Sequence, residues 1–188
     1  MLICPLLGTS NSVDSALEFA IQAHRGMLRE GPDPLPYITH PIEVVLNLCY
    51  VGGVCDPELL CAGALHDTVE CQCCTHAKIE MSFGPRVAGL VRELTRTEPE
   101  PAQIQGLSKD EIWLLRAQML LDEVAKMSTD AQIIKLADRL SNVQDAIRLK
   151  SPKKLKRYLG QTQKMLDVIP KPVNRPLWEA VKGFADTG

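Results

Sequence analysis

The sequence predicts an all-α fold, in which one domain is built as a bundle of helices. Apolar residues recur at intervals of three and four, the spacing of one helix face. The alternation of Val and Ile typical of strands is nearly absent, and aromatic residues make up 4% of the chain. A chain of 188 residues can bury one core without disulfides or a structural metal. We therefore expect a single domain over 1–188, with its core at about 12–186.

The first two helices are predicted from their apolar faces and the prolines between them. A helix is expected from Ser12 to Leu28, until the prolines of GPDPLPY end it. Its predicted inner stripe consists of Ala16, Phe19, Ala20 and Ala23. Pro41 suits a first helical position, which puts His40 at the N-terminal end of a helix over 42–50.

Residues that begin or end helices also predict the structure of the middle of the chain. Asp56 and Pro57 begin a third helix that is expected to end near the letters VECQ. Two shorter helices follow at about 75–81 and 85–94. The polar segment RTEPEPAQIQGLSKDE then predicts a loop, and a loop of this length suggests a functional rim.

Two long helices and two terminal helices complete the prediction. The first long helix is expected from about Ser108 to Met127, and the second covers TDAQIIKLADRLSNVQDAIRLK. The predicted inward face of the second consists of Ile133, Leu136, Ala137, Leu140 and Ile147.

Charge and composition exclude several classes of function. With 21 Lys and Arg against 23 Asp and Glu, the chain has no overall field to attract a nucleic-acid polymer or an anionic membrane. The longest apolar runs are too short to cross a bilayer, and no basic segment marks a secretory signal. The seven cysteines lie mostly in apolar helical patterns, which is typical of buried thiols in a reducing compartment. We therefore expect a cytoplasmic protein.

Candidate chemistry begins at LLCAGALHDTVE, where the residues before His66 are apolar or small. An ionised Asp67 in such a helix would be costly unless it paired with a cation. Helical spacing puts Glu70 one turn from both residues, so the three side chains can reach one cleft. A hydrogen-bonded core histidine beside a surface aspartate remains an alternative. Similarly, Asp138 in KLADRLSN is either a cleft residue or part of a solvated Lys-Asp-Arg surface, and His40 is either a ligand or a simple helix-start residue.

A cysteine cluster, CQCCTH, directly follows Glu70. Cys71 and Cys74 form a Cys-x-x-Cys pair of the redox type, and Cys73 with His76 would complete a set of zinc ligands. No second Cys or His pair at zinc spacing follows, so the favoured interpretation is a set of substitutions at a helix end.

The motifs YITHP, LHDTVE and KLADRLSN occur in order with ALEFAIQAHRG, FGPRVAGLVRELT and NRPLWEAV. In this arrangement the chain resembles the hydrolase domain of the RelA/SpoT-homologue family, and specifically the stand-alone small alarmone hydrolases. The resemblance covers nearly the whole chain. It implies an HD-type helical bundle without the synthetase domain of the longer relatives.

The resemblance implies a site for one manganese ion, formed by His40, His66, Asp67 and Asp138. This mixed set of nitrogen and oxygen donors suits a divalent ion that activates a water molecule. Glu70 matches the glutamate that positions or deprotonates that water. The implied reaction removes the 3′-pyrophosphate of guanosine tetra- or pentaphosphate and leaves GDP or GTP.

Four residues match nucleotide-binding positions of the family. Asn142 matches an asparagine that contacts the nucleotide, and Arg29 matches the arginine that packs on the guanine base. Lys109 in LSKDE and Arg157 in KSPKKLKR match positions that contact phosphate. The basic run around Arg157 is otherwise interpreted as a solvated helix face.

The sequence departs from the family pattern at three places. The family motif HDxxED has a carboxylate where this chain has Cys71, and a neutral thiol does not reproduce that charge. Glu30 replaces a basic residue after Arg29, and GPDPLPY is longer than the family's Gly-x-Pro-Tyr. Two alternatives follow: a catalytically weakened nucleotide-binding or regulatory module, and a hydrolase of another phosphorylated nucleotide such as NADPH.

Overall fold

The computed structural model describes residues 12–186, which form nine α-helices, a π-helical turn and a 3₁₀ turn. The α-helices are α1 (Val13–Ala23), α2 (Thr39–Leu46), α3 (Pro57–Leu65), α4 (His76–Leu94), α5 (Pro101–Ile104), α6 (Lys109–Lys126), α7 (Thr129–Leu149), α8 (Pro152–Val168) and α9 (Arg175–Ala185). Within 12–186 no strand forms apart from an isolated antiparallel bridge between Leu28 and Pro36. The all-α prediction is confirmed.

Helix α3 lies at the centre of the core, and every residue from Leu59 to Leu65 is buried. It packs against α1, α2, α4 and α7. The helix begins as predicted, because the Asp56 carboxylate accepts hydrogen bonds from the backbone N–H groups of Glu58 and Leu59. Because neighbours cover α3 on most sides, the residues at its C-terminal end enter the interior of the molecule.

The later helices follow the sequence closely, except that the segment predicted as a loop contains the four-residue helix α5, which begins with a capping box between Glu100 and Gln103. The two short helices predicted before and after Pro85 form α4, which is interrupted at Gly84 (φ 86°, ψ 169°). Helix α6 begins with a capping box, in which Ser108 and Glu111 each bond to the backbone of the other. Within 12–186, no helix combines the length and the hydropathy needed to span a bilayer.

Two predicted helix ends are wrong. Helix α1 ends at Ala23 instead of Leu28, because the chain turns at Gly26 (φ 80°) and then enters the bridge to Pro36. Helix α3 ends at Leu65 instead of near VECQ. The N–H and the hydroxyl of Thr68 both donate to the carbonyl of Leu65, at 3.0 and 2.7 Å, and this contact tightens the chain into turns.

One predicted inward residue of α7 is also wrong. Ile147 is 37% exposed, whereas its neighbour Ala146 is buried. The bundle therefore contacts α7 along a line one residue away from the expected stripe at this end of the helix. Leu136, Ala137 and Leu140 are buried as predicted.

We expect Gly52→Ala to lower the free energy of unfolding by about 1–3 kcal/mol through overpacking. A Cβ atom at Gly52, which ends the π-helical turn at Asn47–Val51, would lie 2.8 Å from Leu177 Cδ1 and 2.9 Å from the Leu48 carbonyl oxygen. Urea denaturation measures the change. The control is Gly89→Ala in α4, where a Cβ meets no atom within 4 Å, and a gain of up to about 1 kcal/mol is expected. Equal stability of the two variants would contradict this account.

Candidate active site

Four side chains predicted as metal ligands converge where α2, α7 and the end of α3 meet. His40 Nε2 lies 3.2 Å from His66 Nε2, 3.4 Å from Asp67 Oδ2 and 3.3 Å from Asp138 Oδ1. His66 Nε2 lies 3.1 Å from Asp67 Oδ1 and 3.8 Å from Asp138 Oδ1. The side chains are 3–17% exposed, so the cluster is largely shielded from water. Residues far apart in sequence thus form one compact group.

The hydrogen bonds of the two imidazoles fix which nitrogen faces the cluster. His66 Nδ1 donates to the Gly63 carbonyl at 2.8 Å. The Ser141 hydroxyl donates to Glu43 Oε2 at 2.6 Å, so its oxygen is available to accept from His40 Nδ1 at 3.0 Å. Each ring therefore uses Nδ1 for an outer contact and turns Nε2 inward, as metal-binding histidines do.

Tyr37 orients the carboxylate of Asp67. Its hydroxyl donates to Asp67 Oδ2 at 2.6 Å, and burial followed by the charge of Asp67 raises the pKa of Tyr37. The tyrosine ring packs on His24 with 4.8 Å between ring centroids. His24 is buried, and among residues 12–186 neither of its ring nitrogens has a hydrogen-bond partner. Burial lowers the pKa of His24, which therefore acts as a neutral packing surface for Tyr37.

Charges inside the cluster compensate one another. Asp138 Oδ2 pairs with Lys135 Nζ at 2.9 Å, and the amide of Asn142 donates to Asp138 Oδ1. Burial disfavours the ionised Asp138, but Lys135 and the imidazoles outweigh it and lower the pKa of that carboxyl. Burial likewise lowers the pKa of His40, while Asp138 and Asp67 raise it to a net value of about 9. Without a bound cation, a proton on His40 balances these carboxylates at neutral pH.

This donor set fits a divalent cation. One ligand atom each from His40, His66 and Asp67 lies within 4.8 Å of the others, and Asp138 Oδ1 approaches both Nε2 atoms. Two imidazoles and two carboxylates form a mixed nitrogen and oxygen set suited to first-row divalent ions. A cation would replace the protons between the Nε2 atoms and the carboxylates, so its binding would release protons. The arrangement is therefore compatible with a divalent metal site.

Glu70 lies beside the cluster at the exposed rim. Its Oε1 accepts a hydrogen bond from the backbone N–H of Arg96 at 2.8 Å. Partial loss of water contact raises the pKa of Glu70, and the charge of Asp67 adds to this effect, although the Arg96 hydrogen bond opposes it. A carboxylate with a raised pKa is a better proton acceptor than an ordinary surface glutamate.

The cysteines after Glu70 differ from expectation. Cys71 was expected to be a thiol, but it forms a disulfide with Cys73, and the predicted Cys-x-x-Cys partner Cys74 instead places its sulfur 3.5 Å from the carbonyl oxygen of Thr68. The two residues flank Gln72, whose φ is 56°, and their Cα atoms lie 5.3 Å apart, within the range that a disulfide spans. Among the described residues, the candidate metal ligands include neither these cysteines nor His76.

The wider prediction of buried thiols is wrong for most cysteines of the described chain. Cys61 is fully buried within α3, but Cys49 and Cys74 are half-buried and Cys55 is exposed. Cys4 lies outside the residues that the structure describes. The apolar residues around the cysteines therefore did not distinguish those that face the core from those that do not. Cys55, for example, lies in the loop after the π-helical turn.

Two cavities of about 290 Å³ each open beside the cluster. Four residues line both of them: Tyr37, His40, Asn142 and Tyr158. The first contains Arg29, which the family resemblance assigns to the guanine base, and we name it the nucleoside cavity for that expectation. It is further lined by Arg29, Glu30, Asp145, Ala146, Leu149 and Lys150. The second contains the expected ligands Asp67 and Asp138, beside which the 3′-diphosphate is expected, and we name it the diphosphate cavity. It is further lined by Asp67, Glu70, Arg96, Leu120, Lys135, Asp138, Arg139 and Gln161. A ligand that occupies both would therefore pass the histidine and carboxylate cluster.

The residues predicted to bind substrate fall into two groups. Asn142 lines both cavities, and Arg29 lines the nucleoside cavity, where it pairs with Glu43 at 2.8 Å and with Asp145. Neither cavity is lined by Lys109 or Arg157.

Arg157 has other contacts. It pairs with Asp110 at 2.7 Å and lies over the Trp113 ring at 4.0 Å, while Lys109 begins α6 beside this pair. The roles assigned to Lys109 and Arg157 from the resemblance stay predictions.

Sequence reasoning missed several residues of the site. Tyr37, Lys135 and Arg139 lie inside the quoted motifs, so their proximity in sequence to the predicted metal ligands was a usable signal. Ser141 lies one turn after Asp138 and on the same motif. Arg96 had no local signal, because only the fold brings the loop after α4 to Glu70.

Comparisons with known proteins agree with this geometry. The HD domain family matches residues 16–165. Over 133 residues the chain is 34% identical to guanosine-3′,5′-bis(diphosphate) 3′-pyrophosphohydrolase MESH1 of Xenopus tropicalis and 35% identical to that of Homo sapiens, covering 71% of this chain and 68% of each relative. The fold matches a solved structure described as a metazoan ortholog of SpoT that hydrolyzes ppGpp and plays a role in starvation responses, with a TM-score of 0.80, 28% identity and 95% coverage of both chains. The chain therefore belongs to the HD domain family, and its resemblance to the RelA/SpoT-homologue hydrolases is confirmed.

Proposed function

We propose that the protein hydrolyses guanosine tetra- or pentaphosphate at the 3′-diphosphate, giving GDP or GTP and pyrophosphate. The observation that supports the proposal most strongly is the buried convergence of His40, His66, Asp67 and Asp138 between two cavities. Relatives at 34–35% identity are named as 3′-pyrophosphohydrolases of this nucleotide, which supports the same reaction.

The four clustered residues would hold one divalent cation, and manganese is the ion that the family resemblance implies. Such an ion acts as a Lewis acid and makes a nucleophilic water available at neutral pH. The protein's contribution is orientation: Ser141 and the Gly63 carbonyl hold the imidazoles with Nε2 inward, and Tyr37 holds Asp67.

Glu70 is the proposed proton acceptor. Its carboxylate lines the diphosphate cavity beside Asp67, and the Arg96 N–H holds one of its oxygens in place. In the proposed reaction, the water oxygen bonds to the phosphorus attached to the 3′ oxygen, and Glu70 accepts the water proton. The bond between that phosphorus and the 3′ oxygen breaks, pyrophosphate is released, and the 3′ oxygen takes up a proton from solvent to become a hydroxyl group, while Glu70 returns its proton to solvent. A proton acceptor at this position is typically worth about 10²–10⁴-fold in rate.

The nucleoside is proposed to occupy the cavity that contains Arg29 and Asn142. Ion pairs with Glu43 and Asp145 hold the guanidinium of Arg29, which is 9% exposed, so its planar face is fixed before a base arrives. Asn142 lies at the junction of the two cavities, where it can contact a ribose between base and diphosphate.

A second candidate function is a nucleotide-binding or regulatory module with weak turnover. The disulfide between Cys71 and Cys73 supports this alternative, because it leaves no charged group at the position of the family's second acidic residue. In the reducing cytoplasm that the sequence predicts, Cys71 would instead carry a thiol. Activity is therefore best compared with and without a reductant.

Purified protein with saturating manganese should release pyrophosphate from guanosine tetraphosphate, and Glu70→Gln should slow this release by roughly 10²–10⁴-fold. Product formation is measured by chromatography, with NADPH as a parallel substrate. Glu70→Gln should keep its manganese, since Glu70 is not among the clustered ligands. If the wild type binds the nucleotide but releases no more pyrophosphate than the variant, the regulatory module replaces the hydrolase.

Replacing Asp67 by Ala should abolish binding of one manganese ion per chain, because it removes a carboxylate beside both imidazoles. Metal content after dialysis is measured by elemental analysis. Added manganese should also raise the unfolding temperature of the wild type and not that of the variant. The control is Asp167→Ala, which changes an exposed carboxylate on α8. Unchanged metal content in Asp67→Ala would refute the ligand assignment.

Cys71→Asp should raise the single-turnover rate, by up to roughly 10²-fold, because it restores a carboxylate next to Glu70. Cys73→Ser is the matched control, since it also removes the disulfide but adds no charge. Both rates are measured by rapid quench with saturating manganese. A comparable gain in the two variants would assign the effect to loss of the disulfide. No gain in Cys71→Asp would mean that Cys71 does not limit the site.

A further inference from the structure

The diphosphate cavity contains a buried cation without a carboxylate partner. Arg139 is 5% exposed, and its guanidinium contacts Gln161 Oε1 at 3.4 Å and the Tyr158 ring at 4.8 Å. Between residues 12 and 186, no carboxylate forms an ion pair with it. A buried charge with neutral neighbours is costly unless an anion completes the site. Lys135 differs, because its charge is already balanced by Asp138 at 2.9 Å.

Arg96 lines the same cavity from the loop after α4. Its side chain is exposed and has no ion pair with any carboxylate of the described chain. The position of its backbone is nevertheless fixed, because its N–H bonds to Glu70 and the N–H of the next residue, Thr97, bonds to Glu123 Oε1 at 3.0 Å. The ion pair of Glu98 with Arg116 at 2.7 Å anchors the third residue of this segment. The loop thus presents a guanidinium beside the proposed proton acceptor.

No other predicted phosphate ligand occupies this position. Arg157 is paired with Asp110, and neither Arg157 nor Lys109 lines the diphosphate cavity. The same cavity is also lined by the carboxylates of Asp67, Glu70 and Asp138. It therefore combines carboxylates that fit a cation with two guanidinium groups that fit an anion.

We propose that Arg96 and Arg139 form the binding site for the diphosphate group that is transferred to water. The inference rests on the proposed function and adds the residues that recognise the transferred group. A guanidinium offers parallel N–H donors that match two phosphate oxygens. During the reaction, negative charge is spread over the oxygens of the attacked phosphorus, and donors already in place stabilise it without reorganisation. Arg139 supplies a buried anchor, and Arg96 supplies the contact that reaches in from the rim.

Inorganic pyrophosphate, which is the product of the proposed reaction, is the probe for this site. Calorimetric titration of the protein, without metal and with saturating manganese, should show pyrophosphate binding. Arg96→Gln and Arg139→Gln should each weaken it by about 10- to 100-fold, as expected when a charge-assisted hydrogen bond is lost. Arg139→Lys should retain more affinity than Arg139→Gln. Arg92→Gln is the control, since Arg92 is exposed on α4 one turn earlier and lines neither cavity.

Arg96→Gln tests the inference even if the buried Arg139→Gln variant fails to fold, because the Arg96 side chain is exposed and its replacement should leave folding intact. The manganese content of Arg96→Gln should equal that of the wild type, so weaker pyrophosphate binding in this variant would not result from loss of the cation. Equal pyrophosphate affinity in wild type and Arg96→Gln, or no binding to the wild type at millimolar pyrophosphate, would overturn the inference. Because pyrophosphate binding needs no turnover, this result is distinct from a failure of guanosine tetraphosphate hydrolysis.

Discussion

The constraint on which the structure depends is the burial of two imidazoles that lie within 4 Å of each other and of two carboxylates. Such a group is stable only if each member has its hydrogen bonds and if positive charge offsets the carboxylates. Three elements must therefore meet at fixed distances: the start of α2, the end of α3 and the middle of α7. The apolar packing around α3 holds these elements at fixed distances, since the last seven residues of α3 are all buried.

The convergence of the histidine and carboxylate residues was largely predictable, because local sequence patterns indicate most of its members. His66 and Asp67 follow a run of apolar and small residues, so a charge at that point demands compensation. Pro41 marks a helix start, which places His40 at the correct end of α2. Asp138 was assigned to the site from the order of the motifs, because its charged neighbours alone favoured a solvated surface position. The long helices were predictable for a similar reason, because Ser108 and Ser128 are caps that precede sustained helical periodicity.

Other features could not be predicted because they depend on where distant segments meet. Arg96 reaches Glu70 across 26 residues, and Ser141 reaches Glu43 across 98. The early end of α3 depends on a side-chain hydroxyl that competes for the Leu65 carbonyl, a choice that helical periodicity does not register.

The Ser141 hydroxyl joins the two halves of the site. It contacts His40 on the side of the proposed metal site, and on the side of the proposed nucleoside site it donates to Glu43 and lies 3.4 Å from the Arg29 guanidinium. A base that stacks on Arg29 would therefore contact a group that shares the hydrogen-bonded Ser141 with the imidazole of His40. Thermodynamic linkage requires the converse, so a change of affinity for one ligand is matched by an equal change for the other. The Ser141 oxygen is therefore a point at which binding of a cation and binding of a nucleotide would be coupled, and any such coupling would be equal in both directions.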